Sequence, residues 1–531
     1  MSTENSLFLP RGYDTWEACR VSSLRRWVSD RLDEDIDHHA DGEEDTIKTV
    51  RVGPSSTVEL EPLASVHGGM ITCKKNKVPS YLMDCGGMVW TMDWSPYDEE
   101  MTCLAVGCHP RGQHVHEFGR AYHGEASIQV WRVKDESIKN TRTAPEVEMA
   151  IMHEGGVTWS VCWCPAVESM VDGRIGLLAA VLGDGRVCVW DVPKNTRIGE
   201  ECAPSMYAVD PIAEVPAGHV DGSLPCTVDW LPHAPYDLLL VGYQDGCVSI
   251  IKIIDEQEGG MKEVSMKVIQ YFPSDVLPLS AALWFPSCSN TASRHRDAAC
   301  EGEGIERYAF ATVGDESVLN IWDSRHEYHP RVSVKTGTSF TIQDMCWTCH
   351  PLGIMMALED GTVRGFLMEP EAMKRQLKSG RPISLITWRG NLPGAMWAID
   401  ASEPSVLTSE KNETIAYAGE DGVVGIMHDS KYIYASKRRQ DTPHMPLVGL
   451  WCEGKNSFCI KSTRDLMEWK PFGGLSSGRA GDRKEAMKQT MGEMTDIAQA
   501  ILCLKFSKRP AGCSQAKGQW LAYGNAAGLV H

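Results

Sequence analysis

No stretch of this chain approaches the roughly 18 consecutive apolar residues that a membrane-crossing helix requires, so no spanning segment is expected. Residues 1–10 lack a basic region followed by an apolar stretch and a small-residue cleavage site, which argues against secretion. Positive charge is in deficit: 52 Lys and Arg face 71 Asp and Glu, for a net charge of −19. That balance excludes a protein whose whole surface grips nucleic acid and leaves only local basic patches open. Signatures of catalysis are missing as well. There is no Gly-x-Ser-x-Gly elbow, phosphate loop, dinucleotide fingerprint or His-Glu-x-x-His helix, and no loop gathers a convergent acid–base set. The expectation is a protein with no catalytic residues, no cofactor, no metal, no membrane contact and no small-molecule substrate.

What the chain does have is core-forming material. Of its 531 residues 43% are hydrophobic and 17 are Trp, enough for a large interior. The 19 Cys stand singly among strand-like segments with no mark of an oxidising compartment. They read as reduced, mostly buried thiols of an intracellular protein. A length prior suggests about three or four domains, but internal repetition overrides such a prior, and this chain repeats.

In each repeat a short apolar strand ends in Trp or Phe near a Pro. An Ala- or Gly-containing apolar strand follows, then a tight turn, then a strand that often ends in Trp. The first copy is Val89-Trp90-Thr91-Met92-Asp93-Trp94-Ser95-Pro96, then Cys103-Leu104-Ala105-Val106-Gly107, then Ser127-Ile128-Gln129-Val130-Trp131. Later copies carry Trp163-Cys164-Pro165, Trp230-Leu231-Pro232, Trp284-Phe285-Pro286, Trp347 with His350-Pro351, Met396-Trp397, and Leu504-Lys505-Phe506. Turns recur as Asp184-Gly185, Asp245-Gly246, Asp360-Gly361 and Asp421-Gly422. Asp-Gly suits a tight hairpin because glycine tolerates positive φ. Mostly apolar strands suit a sheet covered on both faces. One such sheet cannot cover itself, so the copies must stack, and a ring closes the stack.

No helical pattern recurs at the repeat period, which removes a repeated αβ unit. The copies predict an all-β fold: a single seven-bladed β-propeller of the WD-repeat kind over residues 46–531. The blades fall at about 85–135, 155–195, 224–256, 278–325, 340–370, 394–430 and 497–531. Spacing beyond the typical ~40–45 residues is assigned to long loop insertions at 109–124, 193–225, 287–307 and 429–496. The last copy lacks its final strand, so a strand from 46–66, with Ile47, Val50, Val52, Val58 and Leu60, is expected to close the ring. Residues 1–45, with 12 acidic and 5 basic side chains, read as a disordered acidic tail.

Several segments bear a family likeness. Gly87-Met88-Val89-Trp90-Thr91-Met92-Asp93-Trp94-Ser95-Pro96 leads to Leu104-Ala105-Val106-Gly107-Cys108-His109-Pro110, and a loop with His116 and Gly119 returns into Ile128-Gln129-Val130-Trp131. This pattern resembles the WD-repeat subunit of the RNA polymerase III transcription factor TFIIIC. Similar too are Gly176-Leu177-Leu178-Ala179 and the closing Ala522-Tyr523-Gly524-Asn525-Ala526-Ala527-Gly528-Leu529-Val530. The likeness covers residues 85–531, with its strong motifs in a few blades. It implies a nuclear scaffold subunit that holds other subunits of a TFIIIC-like complex and supports polymerase III transcription of tRNA-type genes. DNA contact would be indirect or weak. Larger members of that family carry basic N-terminal extensions, whereas the tail here is acidic, which disfavours DNA contact through it. The alternative is a WD-repeat adaptor of another nuclear complex, chromatin-associated or a ubiquitin-ligase substrate receptor.

Three local patterns compete with the blade reading. Cys346-Trp347-Thr348-Cys349-His350 spells the haem-attachment motif, but Trp347 falls on the repeat's aromatic position and no second Cys-x-x-Cys completes a zinc site. The strand reading is preferred. His109, His114, His116 and His123 crowd one loop at a spacing suited to zinc or copper. Without a Cys or carboxylate to fix a geometry, packing or partner contact is preferred. Residues 431–510 hold 15 Lys and Arg against 8 Asp and Glu. Within the basic insertion 431–496, Lys437, Arg438, Arg439, Arg483 and Lys484 are the candidate DNA phosphate contacts, with Trp451 and Trp469 available for stacking. A solvated insertion that happens to be basic is the preferred alternative. Met487, Met491, Met494 and Ala498 recur three or four apart, which predicts a short amphipathic helix before the seventh blade.

Overall fold

The computed structural model describes residues 47–52, 57–73, 76–96, 101–110, 116–134, 144–166, 173–194, 205–219, 222–258, 261–286, 308–326, 328–336, 340–349, 352–368, 386–389, 394–402, 413–428, 444–454, 456–462, 497–507 and 520–531. Among these residues the regular structure is β throughout, apart from one 3-10 turn at Ile497–Gln499. The strands form seven sheets. Their first strands along the 88–506 stretch are Met88–Trp94, Thr158–Trp163, Pro225–Trp230, Leu279–Trp284, Ile342–Cys349, Met396–Ala401 and Ile501–Phe506, which define sheets 1 to 7. These seven strands touch one another in cyclic order, and that of sheet 7 meets that of sheet 1. The arrangement is a β-propeller.

The apolar runs follow from that packing. Arg174–Leu182, Ala309–Gly314 and Val318–Asp323 are buried at every position, because neighbouring sheets cover both faces of the middle strands. Antiparallel sheets that each start on the inside place two kinds of connection at one end of the ring. These are the links from one sheet to the next and the turns between second and third strands. That end is the turn face. Its turns carry Asp184, Asp245, Asp360 and Asp421, each accepting the backbone N–H two residues on at 3.0, 2.9, 3.1 and 2.9 Å. Gly246 has a φ of +84°, and a Cβ there would lie 2.4 Å from the Asp275 carbonyl oxygen, so conformation and space both demand glycine.

Carboxylates staple the innermost strands together. Asp93 accepts the Trp163 N–H at 2.8 Å, Asp229 the Trp284 N–H at 2.7 Å, Asp344 the Ile399 N–H at 3.0 Å and Asp400 the Phe506 N–H at 2.8 Å. Between sheets 7 and 1 the Trp94 indole N–H donates to the Lys505 carbonyl at 3.0 Å.

An N-terminal strand does complete sheet 7, but it is not 46–66. Asn76–Asp84 pairs antiparallel with Leu529–Val530, and Ser65–Cys73 pairs outside it. Burial explains the choice. Tyr81, Leu82 and Met83 form a contiguous buried run, whereas Thr57–Leu60 still shows exposed Thr57 and Glu59. Lys48–Val52 instead runs parallel to Ser457–Ser462 and antiparallel to Thr57–Leu60, extending sheet 6. Lys48 and Asp84, both buried, form an ion pair that ties sheet 6 to sheet 7.

The basic insertion is shorter than 431–496 as well. His444–Gly454 and Ser457–Ser462 are strands of sheet 6, held by the buried Val448, Leu450 and Phe458 despite the surrounding basic residues. Within 193–225, Ser205–Ala208 pairs in parallel with the edge strand of sheet 1, Glu146–His153, and Ala213–Val215 is the outer strand of sheet 2. The acidic tail lies outside the described residues.

Candidate partner-binding face

Every innermost strand carries a one-residue register shift near its start. The residue left out of the ladder is Trp90, Trp159, Cys226, Ser280, Gln343, Trp397 or Leu502 in sheets 1 to 7. A bulge re-aims the residue it releases, and all of these are half-buried at the turn face. Sequence reading missed this ring although a signal was present. Trp90 and Trp94, like Trp159 and Trp163, are four residues apart, which a regular strand puts on one face. Trp94 and Trp163 are nonetheless core residues while their partners stay half-exposed, and only the shift reconciles the two.

A loop from sheet 1 builds on two of these residues. Leaving its second strand at His109, the chain crosses sheet 2, where the Tyr122 N–H donates to the Gly183 carbonyl at 2.9 Å. It reaches sheet 3, where the Gly119 N–H donates to Gln244 Oε1 at 2.7 Å. The crossing lays His116 and Tyr122 over the bulge tryptophans. Trp90 stacks on His109 at 4.7 Å with the rings 11° apart, and Trp159 meets Trp90 edge-on at 5.7 Å. His116 and Tyr122 approach Trp159 at 4.7 and 5.9 Å.

The histidines are wired to each other. His109 Nε2 lies 2.9 Å from the Thr158 carbonyl oxygen and His109 Nδ1 lies 2.9 Å from His116 Nε2. A carbonyl only accepts, so His109 carries its proton on Nε2 and accepts the His116 N–H at Nδ1. His116 Nδ1 is then a buried acceptor with no hydrogen-bond partner among the described residues. Burial first, then the neighbouring His116, lower the His109 pKa to about 3, and burial lowers that of His116. His153 extends the network, with Nε2 3.0 Å from Thr158 Oγ1.

Both His109 nitrogens and His116 Nε2 are thus turned on one another and on a carbonyl. Among the described residues no group of three or more His, Cys, Asp or Glu is placed to hold a metal ion. His123 is exposed and His114 lies outside the described residues. What the cluster offers is a rigid, half-buried aromatic surface suited to packing. Around it, Phe118 on the crossing loop is 71% exposed, and Val276, Leu277, Phe340 and Ile497 on the links between sheets are 79, 43, 46 and 50% exposed.

The remaining sequence candidates fall elsewhere. Lys437, Arg438, Arg439, Arg483 and Lys484 lie outside the described residues, as do Trp469, Met487, Met491 and Met494. Trp451 is a half-buried strand residue of sheet 6, and Ala498 sits in the 3-10 turn. In the haem-like motif Cys346 is buried in the innermost strand of sheet 5, and Trp347 packs on Phe285 at 5.0 Å. Cys349 is disulfide-bonded, which takes one of the two thiols the motif needs. That bond also corrects the expectation of reduced cysteines throughout, while twelve described cysteines, Cys346 among them, form no disulfide. Compared with known proteins, the chain matches no family model and no curated protein.

Proposed function

We propose that the seven sheets are the blades of one seven-bladed WD-repeat propeller that serves as a non-catalytic scaffold subunit of a nuclear, TFIIIC-like complex. In this reading it supports RNA polymerase III transcription of tRNA-type genes by holding the other subunits. The observation that carries the scaffold part is the turn face, where bulge tryptophans and five exposed apolar side chains gather at one end of the ring. Exposed apolar side chains gathered at one end of a ring favour a covering partner, and buried aromatic anchors dominate the energy of such interfaces. His109, the most buried ionisable group of the aromatic cluster, spends both nitrogens on internal hydrogen bonds, which favours binding over turnover.

The polymerase III part rests on the likeness of the segments around Trp90 and Tyr523. DNA contact is assigned to the partners, or weakly to Lys437, Arg438, Arg439, Arg483 and Lys484. An adaptor of another nuclear complex would use the same face with different partners. A tagged chain recovered from nuclear extract, with mass spectrometry of what it retains and salt-resolved binding to a tRNA gene, separates these. Retention of TFIIIC-like subunits supports the proposal; retention of only histone-binding or ubiquitin-ligase components moves the chain to the adaptor reading. Loss of tRNA-gene binding on neutralising the five cations adds direct DNA contact.

A further inference from the structure

Over sheets 3 to 5 the turn face has a different chemistry from the aromatic cluster. The link between sheets 3 and 4 carries Asp275, Val276 and Leu277, and the turn of sheet 4 carries Asp315 and Glu316. The link to sheet 5 carries Phe340 and the turn of sheet 5 carries Glu359. Main-chain bonds hold these pieces in register. The Asp275 N–H donates to the Gly246 carbonyl at 2.9 Å, the Asp315 N–H to the Pro278 carbonyl at 3.2 Å, and the Glu359 N–H to the Thr341 carbonyl at 3.0 Å.

The carboxyl groups act in pairs, Asp275 with Glu316 and Asp315 with Glu359. Burial and the adjoining Glu316 carboxyl raise the Asp275 pKa to about 7, and burial and Glu359 raise that of Asp315. Asp275 is only 9% exposed, and its Oδ1 accepts the Val276 N–H at 2.7 Å, so the surface charge of this sector is carried by the exposed Glu316 and Glu359. Val276, Leu277 and Phe340, the exposed apolar side chains of this sector, stand on the same links. Cations on neighbouring strands include Arg364, Lys335 and Arg389, the last paired with Thr362 in sheet 5. Arg364 is buried and donates to the Thr336 carbonyl at 2.6 Å and to Asp360 at 3.1 Å, while Lys335 is exposed at the end of Val332–Lys335.

We propose that this acid-rimmed apolar patch docks a basic, amphipathic segment of a protein partner. Lys or Arg residues of that segment donate to Glu316 and Glu359, and its apolar residues cover Val276, Leu277 and Phe340. Charge complementarity selects the occupant. A nucleic acid or an acidic segment is repelled by this cluster of carboxyl groups, and a neutral segment leaves the exposed Glu316 and Glu359 without a cation. The proposal rests on the scaffold reading and adds the chemistry of one partner.

The test titrates the full chain against a fluorescein-labelled twelve-residue peptide alternating Leu with Arg and Lys, followed by anisotropy at two salt concentrations. A twin peptide with Glu at the basic positions and a labelled DNA duplex are run beside it. The variants are Glu316→Gln with Glu359→Gln, Val276→Ser with Leu277→Ser, and, as a charge control on sheet 1 loops, Glu125→Gln with Glu154→Gln. All six side chains are exposed, so folding is retained. Each site pair is expected to weaken binding of the basic peptide about tenfold, and the control pair to leave it near wild type. Equal weakening by the control, absence of binding, or tighter binding of the acidic twin or the duplex overturns the proposal. Retention of nuclear subunits by the same variants is read separately, so the scaffold reading stands or falls on its own result.

Discussion

His109 makes the turn face sensitive to acid. The unfolded chain takes up a proton near the ordinary histidine value of 6.5, while the folded chain resists it until about 3. The stability contributed by the neutral imidazole is therefore complete above pH 6.5 and is lost as pH falls toward 3, at about 1.4 kcal/mol per pH unit. Asp421 and Asp344 run the other way. Burial raises them to about 7 and about 6, so folding favours their protonated forms, and the stability they contribute at low pH is lost as pH rises through those values. The comparison of variant with wild type isolates the histidine. In urea titrations at pH 6.5 and 4.5, His109→Gln should lose less stability on acidification than wild type, and parallel losses would rule the assignment out. Glycines supply a second residue-scale prediction. Gly246→Ala combines a φ of +84° with a 2.4 Å clash against the Asp275 carbonyl and should cost about 2–3 kcal/mol in thermal unfolding. Gly119→Ala, with a φ of +74° and nothing within 4 Å, should cost only the left-handed penalty of about 1 kcal/mol. Asp-Gly pairs such as Asp245-Gly246 were legible because their turn chemistry is local. The His109–His116 bond was not, since it depends on a loop crossing another sheet.

At the scale of strands, carboxylates and one buried ion pair fix how sheets meet. Asp93→Ala leaves the buried Trp163 N–H without its 2.8 Å acceptor and should lower stability by about 1–3 kcal/mol. Lys48→Met strands the buried Asp84 carboxylate, and removing one partner of such a pair costs about 3–5 kcal/mol. Lys48→Met with Asp84→Asn should recover part of that loss in the same denaturation assay; no recovery would mean that Lys48 acts through packing alone. In sheets 2, 3, 5 and 6 the second and third strands were readable from the apolar runs on either side of Asp-Gly turns. The identity of the closing strand was not. Val50, Val52, Val58 and Leu60 alternate as convincingly as any strand, and what separates them from 76–84 is whether both faces end up covered. Likewise 444–462 read as part of an insertion because the wider stretch 431–496 is rich in Lys and Arg, whereas its pairing with neighbouring strands is a property of the assembled sheet.

For the whole molecule, truncations distinguish strands that close the ring from strands that decorate it. Removal of residues 1–64 deletes the outer pair of sheet 6 and the Lys48 partner of Asp84, yet leaves Asn76–Asp84 on Leu529–Val530. This variant should still unfold in one cooperative step, at lower temperature. Removal of residues 1–87 takes the closing strand as well and should abolish that step, leaving exposed apolar surface that binds a hydrophobic dye. A cooperative transition in the second variant would show that sheet 7 closes without 76–84.

Sheet 7 also sets a schedule for synthesis. Its innermost contact joins Trp94 to Lys505, 411 positions apart, and its closing strand is made long before Leu529–Val530, the strand on its inner side. A ribosome adding about 5–20 residues per second leaves the inner edge of Tyr81, Leu82 and Met83 without its partner strand for tens of seconds. During that interval the nascent chain carries an unpaired, apolar strand edge, which makes it a client for chaperones that shield such edges until the last strands emerge.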